Sequence, residues 1–273
     1  MIRDITIGQY FPGKSPLHRL DARMKIVLTL AVIVLIFLCG NFWSLGLICA
    51  FVTVAVLLSR VPLKTVAKSV KPIVYIVVFT ALLNVFYVSG GKMLFEYSFI
   101  KITEKGVYTA LFMAARIICL VVFSSLLTYT TQPTELTDAL ERLLRPLKAL
   151  RVDVHTIAMM MTLALRFIPT LIEETDRIMN AQKARGADWE SGSLVSRAKA
   201  LVPVLVPLFV SSFRRAYELA FAMECRCYRG GKGRTRMKIM RLKPGDIVAA
   251  AIIALLAAAV IFFRFERFFA QVI

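Results

Sequence analysis

Apolar positions along this chain fall in long unbroken runs rather than alternating with polar ones. Five runs approach the roughly 20 residues that a bilayer crossing needs. They are 26–39 (IVLTLAVIVLIFLC), 42–58 (FWSLGLICAFVTVAVLL), 72–88, 107–130 and 246–263. The first follows a basic start and is read as an uncleaved span, because no small-residue cleavage site accompanies it and further spans follow. Gly40 and Asn41 form a short turn after it, and the mixed stretch 89–105 has room for a short hairpin. The predicted fold class is an all-α integral membrane protein with about five transmembrane helices plus long cytoplasmic helices.

Those long helices are expected in 131–245, where the pattern changes. The segment is charged, yet it holds the apolar runs TIAMMMTLAL (156–165) and LVPVLVPLFV (201–210). Both runs are too short to span and are read as buried or interfacial. Three helices are predicted here. The first starts with Thr134 as N-cap and carries a leucine stripe at 136, 140, 143, 144 and 147, with Pro146 ending or kinking it. The second runs from about His155 to Arg185, and the third from about Ser193 to Cys227, each about 45 Å long. Pro169, Pro203 and Pro207 are expected to kink them. The resulting division is 1–130 for four membrane helices, 131–245 for a cytoplasmic region with two arginine-tipped helices and 246–273 for a last membrane helix.

Aligning the two long helices on Arg185 and Arg226 keeps their apolar positions in phase. Ile168 falls opposite Phe209, Ile172 opposite Phe213, Ile178 opposite Leu219 and Ala181 opposite Ala222. Either a weak helical repeat or two ordinary amphipathic helices would give this.

Composition agrees with a membrane class: 58% of the 273 residues are hydrophobic and the mean hydropathy is +0.71, above the range of soluble domains. The net charge of +18 must then lie outside the bilayer, because charge at its centre is expensive. Nine basic residues precede span one or follow span two; five lie on the other side. That asymmetry predicts that the N-terminus and segment 131–245 are cytoplasmic, with the C-terminus outside. Segment 131–245 alone holds 20 basic and 11 acidic residues. Acidic headgroups or an acidic protein surface suit this charge; nucleic acid does not, since no nucleic-acid-binding signature accompanies it.

No catalytic constellation is visible. His18 and His155 are the only histidines, and neither H-E-x-x-H nor G-x-S-x-G occurs. GGKGRTR (230–236) has the composition of a phosphate loop but places Gly after its Lys, where Ser or Thr would hold magnesium. Its basic, Gly-rich character suits either anion contact or a solvated linker. Cys39, Cys49 and Cys119 sit in apolar runs as small core residues. Cys225 and Cys227 make a lone C-x-C, which is poor evidence for a metal.

What remains is the pair of arginines at the helix ends. Gly186 after Arg185 suits the left-handed position that ends a helix, and an arginine in the last turn complements the helix dipole. Alternatively, a long rod tipped by a planar, permanently charged guanidinium is suited to docking into an acidic groove and passing on a displacement. Arg116, inside the fourth run, is costly unless it faces protein or water; it anchors neighbouring helices or faces another subunit. Arg166 and Pro169 are expected to shape a bend in the second long helix.

Several stretches resemble one family, the transmembrane T component of energy-coupling factor transporters. GQYFPGKSPLHRLDARMKI (8–26) is similar to its entry segment, with Ala22 where Pro is usual. SSLLTYTTQPTELTDALERLLRPLK (124–148) resembles its lead-in to the coupling helices. LALRFIPTLIEETDRIMNAQKARGAD (163–188) ends in its first Ala-Arg-Gly motif, here Ala184, Arg185 and Gly186. Cys225, Arg226 and Cys227 correspond to the second motif, keeping the arginine but neither flank.

The resemblance implies a non-catalytic scaffold in a bacterial or archaeal plasma membrane. It would dock two ABC-type ATPases through these arginines and embrace one membrane substrate-binding subunit, either dedicated or interchangeable, for uptake of vitamins or other micronutrients. ATP and magnesium would be used by the ATPases, with no cofactor on this chain. Met159, Met160, Met161, Leu205 and Leu208 are the expected face for the substrate subunit, Met being able to repack against different surfaces; core packing is the alternative. Two other functions stay open. One is an autonomous secondary permease, although no inverted repeat of the kind such carriers often carry is visible. The other is a membrane assembly factor that recruits a soluble partner.

Overall fold

The structure is a computed structural model that describes residues 10–88, 90, 93–97, 100–187, 193–230 and 242–272. Its helices are α1 (Ala22–Leu38), α2 (Phe42–Ser59), α3 (Leu63–Tyr87), α4 (Glu104–Thr130), α5 (Pro133–Leu143), α6 (Val154–Ala184), α7 (Leu194–Cys225) and α8 (Pro244–Val272). A 3-10 turn covers Arg145–Leu150. Among the described residues the one sheet is a short antiparallel hairpin, β1 (Met93–Tyr97) with β2 (Ile100–Thr103), in register Tyr97 to Ile100 and Met93 to Thr103. It falls where the loop between the third and fourth apolar runs was expected to hold one. Most of the Gly-rich segment 230–236 lies outside the described residues.

The chain divides into two compact units. The membrane unit comprises Gly8–Ala139 with Ile239–Ile273. Its core is built at helical spacing. Val32, Leu35, Ile36 and Cys39 come from α1; Leu45, Ile48, Val52 and Val56 from α2; Phe112, Cys119, Phe123 and Leu126 from α4; and Ile253, Leu256 and Val260 from α8. Each set recurs at three- and four-residue steps, so one stripe of each helix meets the centre. α4 packs against α1, α2 and α3, while α8 packs against α1 and α2. α3 turns only Val66 and Val77 fully inward and leaves Tyr75, Ile76, Phe79 and Tyr87 exposed. In water such a surface would be a liability; in a bilayer, lipid is as apolar as these side chains.

Two close approaches fix the ends of α3 and α4. Thr103 caps α4, accepting from the Gly106 N–H at 3.2 Å, and its hydroxyl donates to Val88 O at 2.8 Å just beyond α3. A side chain on Gly106 would place its Cβ 2.9 Å from Val88 O, so only glycine permits this contact. Arg116 bridges two helices. Its Nη2 donates to Cys39 O at 2.5 Å, tying α4 to the end of α1, and its guanidinium lies 4.8 Å from the Phe112 ring centroid.

The second unit, Leu140–Lys238, holds the two long helices. α6 and α7 run antiparallel. Gln182 near the end of α6 reaches Pro203 O near the start of α7 at 3.4 Å. Midway, Glu174 accepts from Ser211 and from Arg215 Nη2, the latter at 2.8 Å. At the other end the Tyr228 hydroxyl meets Met159 Sδ at 2.9 Å. Both helices stay continuous past Pro169, Pro203 and Pro207.

Three expectations need correction. Thr134 does not cap α5. The helix begins at Pro133, with the Leu136 N–H bonded to Gln132 O, because proline is pre-set for the first helical position. Runs 156–165 and 201–210 looked too short to cross a bilayer, but each is part of a helix that continues through flanking polar turns. By length and composition α6 and residues 199–225 of α7 qualify, with α2, α3, α4 and the part of α8 to Arg264, while α1 has 17 residues. Nor are those runs buried, since Met160, Met161, Leu205, Val206 and Phe209 are exposed.

Candidate functional site

Each long helix ends in the same backbone device. At α6, Arg185 is the C-cap and Gly186 follows at φ 84°. The Gly186 N–H bonds Lys183 O and the Ala187 N–H bonds Gln182 O, both at 3.0 Å. At α7 the same positions are Arg226, Cys227 and Tyr228. The Cys227 N–H bonds Glu224 O at 2.8 Å, and the Tyr228 N–H bonds Met223 O at 3.0 Å. These paired bonds satisfy carbonyls that a helix end would otherwise leave open. Cys227 takes φ 56°, so the left-handed end survives loss of the glycine that favours it.

The consequence is geometric. Ala184, Arg185 and Gly186 are exposed, as are Cys225, Arg226 and Cys227. Both arginines occupy the residue at which the helix turns back, so each guanidinium stands at a rod's tip. Because the rods are antiparallel, the tips lie at opposite ends of the pair. Counting from Met159 to Ala184 at ~1.5 Å per residue places them roughly 35 Å apart along it. Neither forms an ion pair among the described residues.

What holds the rods together went unread in the sequence. Leu171, Glu174 and Ile178 share one face of α6; Val204, Leu208, Ser211, Arg215 and Leu219 share one face of α7, all at least half-buried. The Glu174–Arg215 pair, with Ser211, is a polar clamp in that seam. The available signal was a carboxylate and a guanidinium placed in phase with half-buried apolar neighbours. Leu208 belongs to the seam face, whereas Leu205 is exposed beside Phe209. Of the methionines, Met159 is half-buried under Tyr228, and Met160 and Met161 are exposed. Val206, Phe213, Tyr217 and Phe221 form an exposed row along the other face of α7. Arg166 is exposed on α6, three residues before Pro169. At its start, α6 is capped by Asp153, whose carboxylate accepts from the Thr156 hydroxyl at 2.6 Å and from the Thr156 N–H. The hydroxyl bond first, then the N–H bond, holds that carboxyl below its ordinary range.

The entry segment forms a second constellation, in the membrane unit. Asp21 caps α1 and pairs with Arg23 at 2.9 Å. The buried Lys25 ammonium donates to Thr130 O at 2.9 Å, Thr131 Oγ1 at 3.3 Å and His18 O at 3.3 Å, closing the end of α4. Asp246 of α8 is fully buried and accepts from the Asp21 N–H at 2.9 Å and the Lys243 N–H at 2.7 Å. Asp21, Lys25 and Asp246 thus join the starts of α1 and α8 to the end of α4.

This pattern of entry motif and twin arginine ends can be set beside known proteins. The family model described as "CbiQ: Cobalt transport protein" matches residues 13–239. The chain belongs to this family. It is 51% identical over 268 residues to the energy-coupling factor transporter transmembrane protein EcfT of Ruminiclostridium cellulolyticum, covering 98% of this chain and all of that one. The EcfT of Clostridium kluyveri is 53% identical over 251 residues, 92% of this chain and 93% of the relative. That of Bacillus subtilis is 45% identical over 264 residues, 97% and 100% respectively. Membership in the T-component family, with several helices apolar enough to cross, makes this a multi-pass membrane protein of a transporter family. Family members named as transmembrane components fit a non-catalytic subunit.

Proposed function

We propose that this chain is the coupling subunit of an ATP-driven importer, linking two ABC-type ATPases to a separate substrate-binding membrane subunit. The observation that carries the reading is the pair of matched helix ends: two exposed arginines, at the same position of the same left-handed turn, at opposite ends of one clamped pair. A guanidinium held this way can enter an acidic groove and bind a carboxylate bidentately. Two separated tips suit two ATPase subunits, one each. The packed helices between them resist compression and so carry motion rather than absorb it. ATP and magnesium belong to the ATPases, and vitamins or other micronutrients are the cargo class. The basic asymmetry favours a cytoplasmic N-terminus and rods, with the C-terminus outside. The open face bearing Met160, Met161 and Leu205, continued by Phe213 and Tyr217, supplies an apolar surface for the substrate subunit.

The test is co-purification in mild detergent of wild type beside Arg185→Glu, Arg226→Glu. Two ATPase chains with wild type, lost in the double variant while the protein stays in the membrane, is the expected result. Wild type that captures no ATPase under several gentle conditions, or transports alone after reconstitution, would instead make it a stand-alone permease.

A further inference from the structure

We propose that the membrane unit carries a binding site for the phosphate headgroup of an anionic phospholipid. A cavity of about 500 Å³ opens among Lys14, Pro16, Arg19, Leu20, Arg60, Lys243 and Gly245. Its four cations come from three separate stretches: the entry segment, the end of α2 and the approach to α8. Arg60 is delivered by a left-handed residue, at φ 54°, that ends α2. Lys243 is set by its own N–H on Asp246 and by its ammonium on Arg19 O at 3.2 Å. No carboxylate lines the cavity, and none of the four cations forms an ion pair among the described residues. The nearby acid, Asp246, is sealed from solvent, each oxygen taking a backbone N–H. Gly245, in the first turn of α8, adds the positive end of a helix dipole.

Four convergent cations at a helix start fit a phosphate. What selects a lipid is the surface next to the cavity. Within a turn or two lie exposed apolar residues of the same helices: Leu57 and Leu58 of α2, Ile247 and Val248 of α8, and Val27 of α1. A ligand with an anionic head and apolar tails satisfies both surfaces at once, and basic pockets between membrane helices are known to take such headgroups.

Native mass spectrometry of the full-length chain, delipidated and then offered phosphatidylglycerol or phosphatidylcholine, tests this. Wild type should retain phosphatidylglycerol preferentially. Each cation removed should weaken retention about fivefold, so Lys14→Gln, Arg19→Gln, Arg60→Gln, Lys243→Gln together should abolish the preference. Replacing the exposed Lys64, Lys68 and Lys71 of α3 by Gln should leave it nearly intact. The charge-keeping set Lys14→Arg, Arg19→Lys, Arg60→Lys, Lys243→Arg should also keep it, which separates lost charge from lost folding. Equal losses in the pocket and α3 variants would reduce the site to a diffuse basic face and overturn the proposal. Displacement of the lipid by inorganic phosphate would overturn it too, leaving a free-phosphate site.

Discussion

Cys227 and Gly186 occupy equivalent left-handed turns with different residues, which makes their exchange a direct test of how the arginine tips are held. A left-handed conformation costs an L-residue about 1–2 kcal/mol. Putting Gly at 227 removes that cost but adds roughly 0.4–1 kcal/mol of backbone freedom to the open state. The net expectation for Cys227→Gly is about 0.5–1 kcal/mol in favour of the closed helix end, or two- to fivefold less opening. At Gly186 nothing lies within 4 Å of where a Cβ would be placed. Gly186→Ala therefore tests conformation alone, with no clash to confuse it. It should cost about 1 kcal/mol, roughly fivefold more opening. Amide hydrogen exchange reads this at two protons, the Tyr228 N–H on Met223 O and the Ala187 N–H on Gln182 O. Exchange should slow at Tyr228 in the first variant and quicken at Ala187 in the second, with distant amides unmoved. Unchanged exchange at Tyr228 in Cys227→Gly would refute the claim that this end is a strained copy of the other.

Three further outcomes are expected. Asp246→Ala strips two buried backbone N–H groups of their acceptor, so the melting temperature in detergent should fall as for a loss of roughly 2–5 kcal/mol; an unchanged melt would mean that water replaces the carboxylate. The lowered pKa of Asp153 makes its cap a contribution present at neutral pH and lost as pH falls through the folded-state value; exchange at the Thr156 amide should rise in acid in wild type and be raised already at pH 7 in Asp153→Ala. Replacing Met159, Met160 and Met161 together by Leu should weaken capture of some substrate subunits more than others, and equal capture of all would remove these residues from that interface.

Much of the fold could be read from the chain because the bilayer demands unbroken apolar runs. α1, α2 and α4 begin and end within a few residues of their runs, and α6 and α7 were located by their arginine ends. α3 was undercalled at its start because Lys64, Lys68 and Lys71 interrupt the apolar pattern, although nothing stops the helix there: even Pro72 is accommodated. The same reliance on unbroken runs hid that α6 and most of α7 meet the length and composition of a membrane crossing, although their extents were read correctly. The tips themselves were legible, since Arg-Gly after a long periodic segment has a local cause. Their separation was not, because direction depends on the seam between helices, and that seam is fixed by Glu174, Ser211 and Arg215, which look like surface residues until they are paired. The junction of Asp21, Lys25 and Asp246 was equally invisible: more than 200 positions separate the first and last of these in the sequence.

An antiparallel pair of rods with matching ends has an approximate two-fold axis through its middle, perpendicular to both. A single copy of this chain can therefore present like faces to a partner that is itself two-fold symmetric. The symmetry is imperfect where it matters, since alanine and glycine flank one arginine and two cysteines the other. Identical partner subunits would meet two slightly different plugs; unlike subunits would find a difference by which to tell one end from the other.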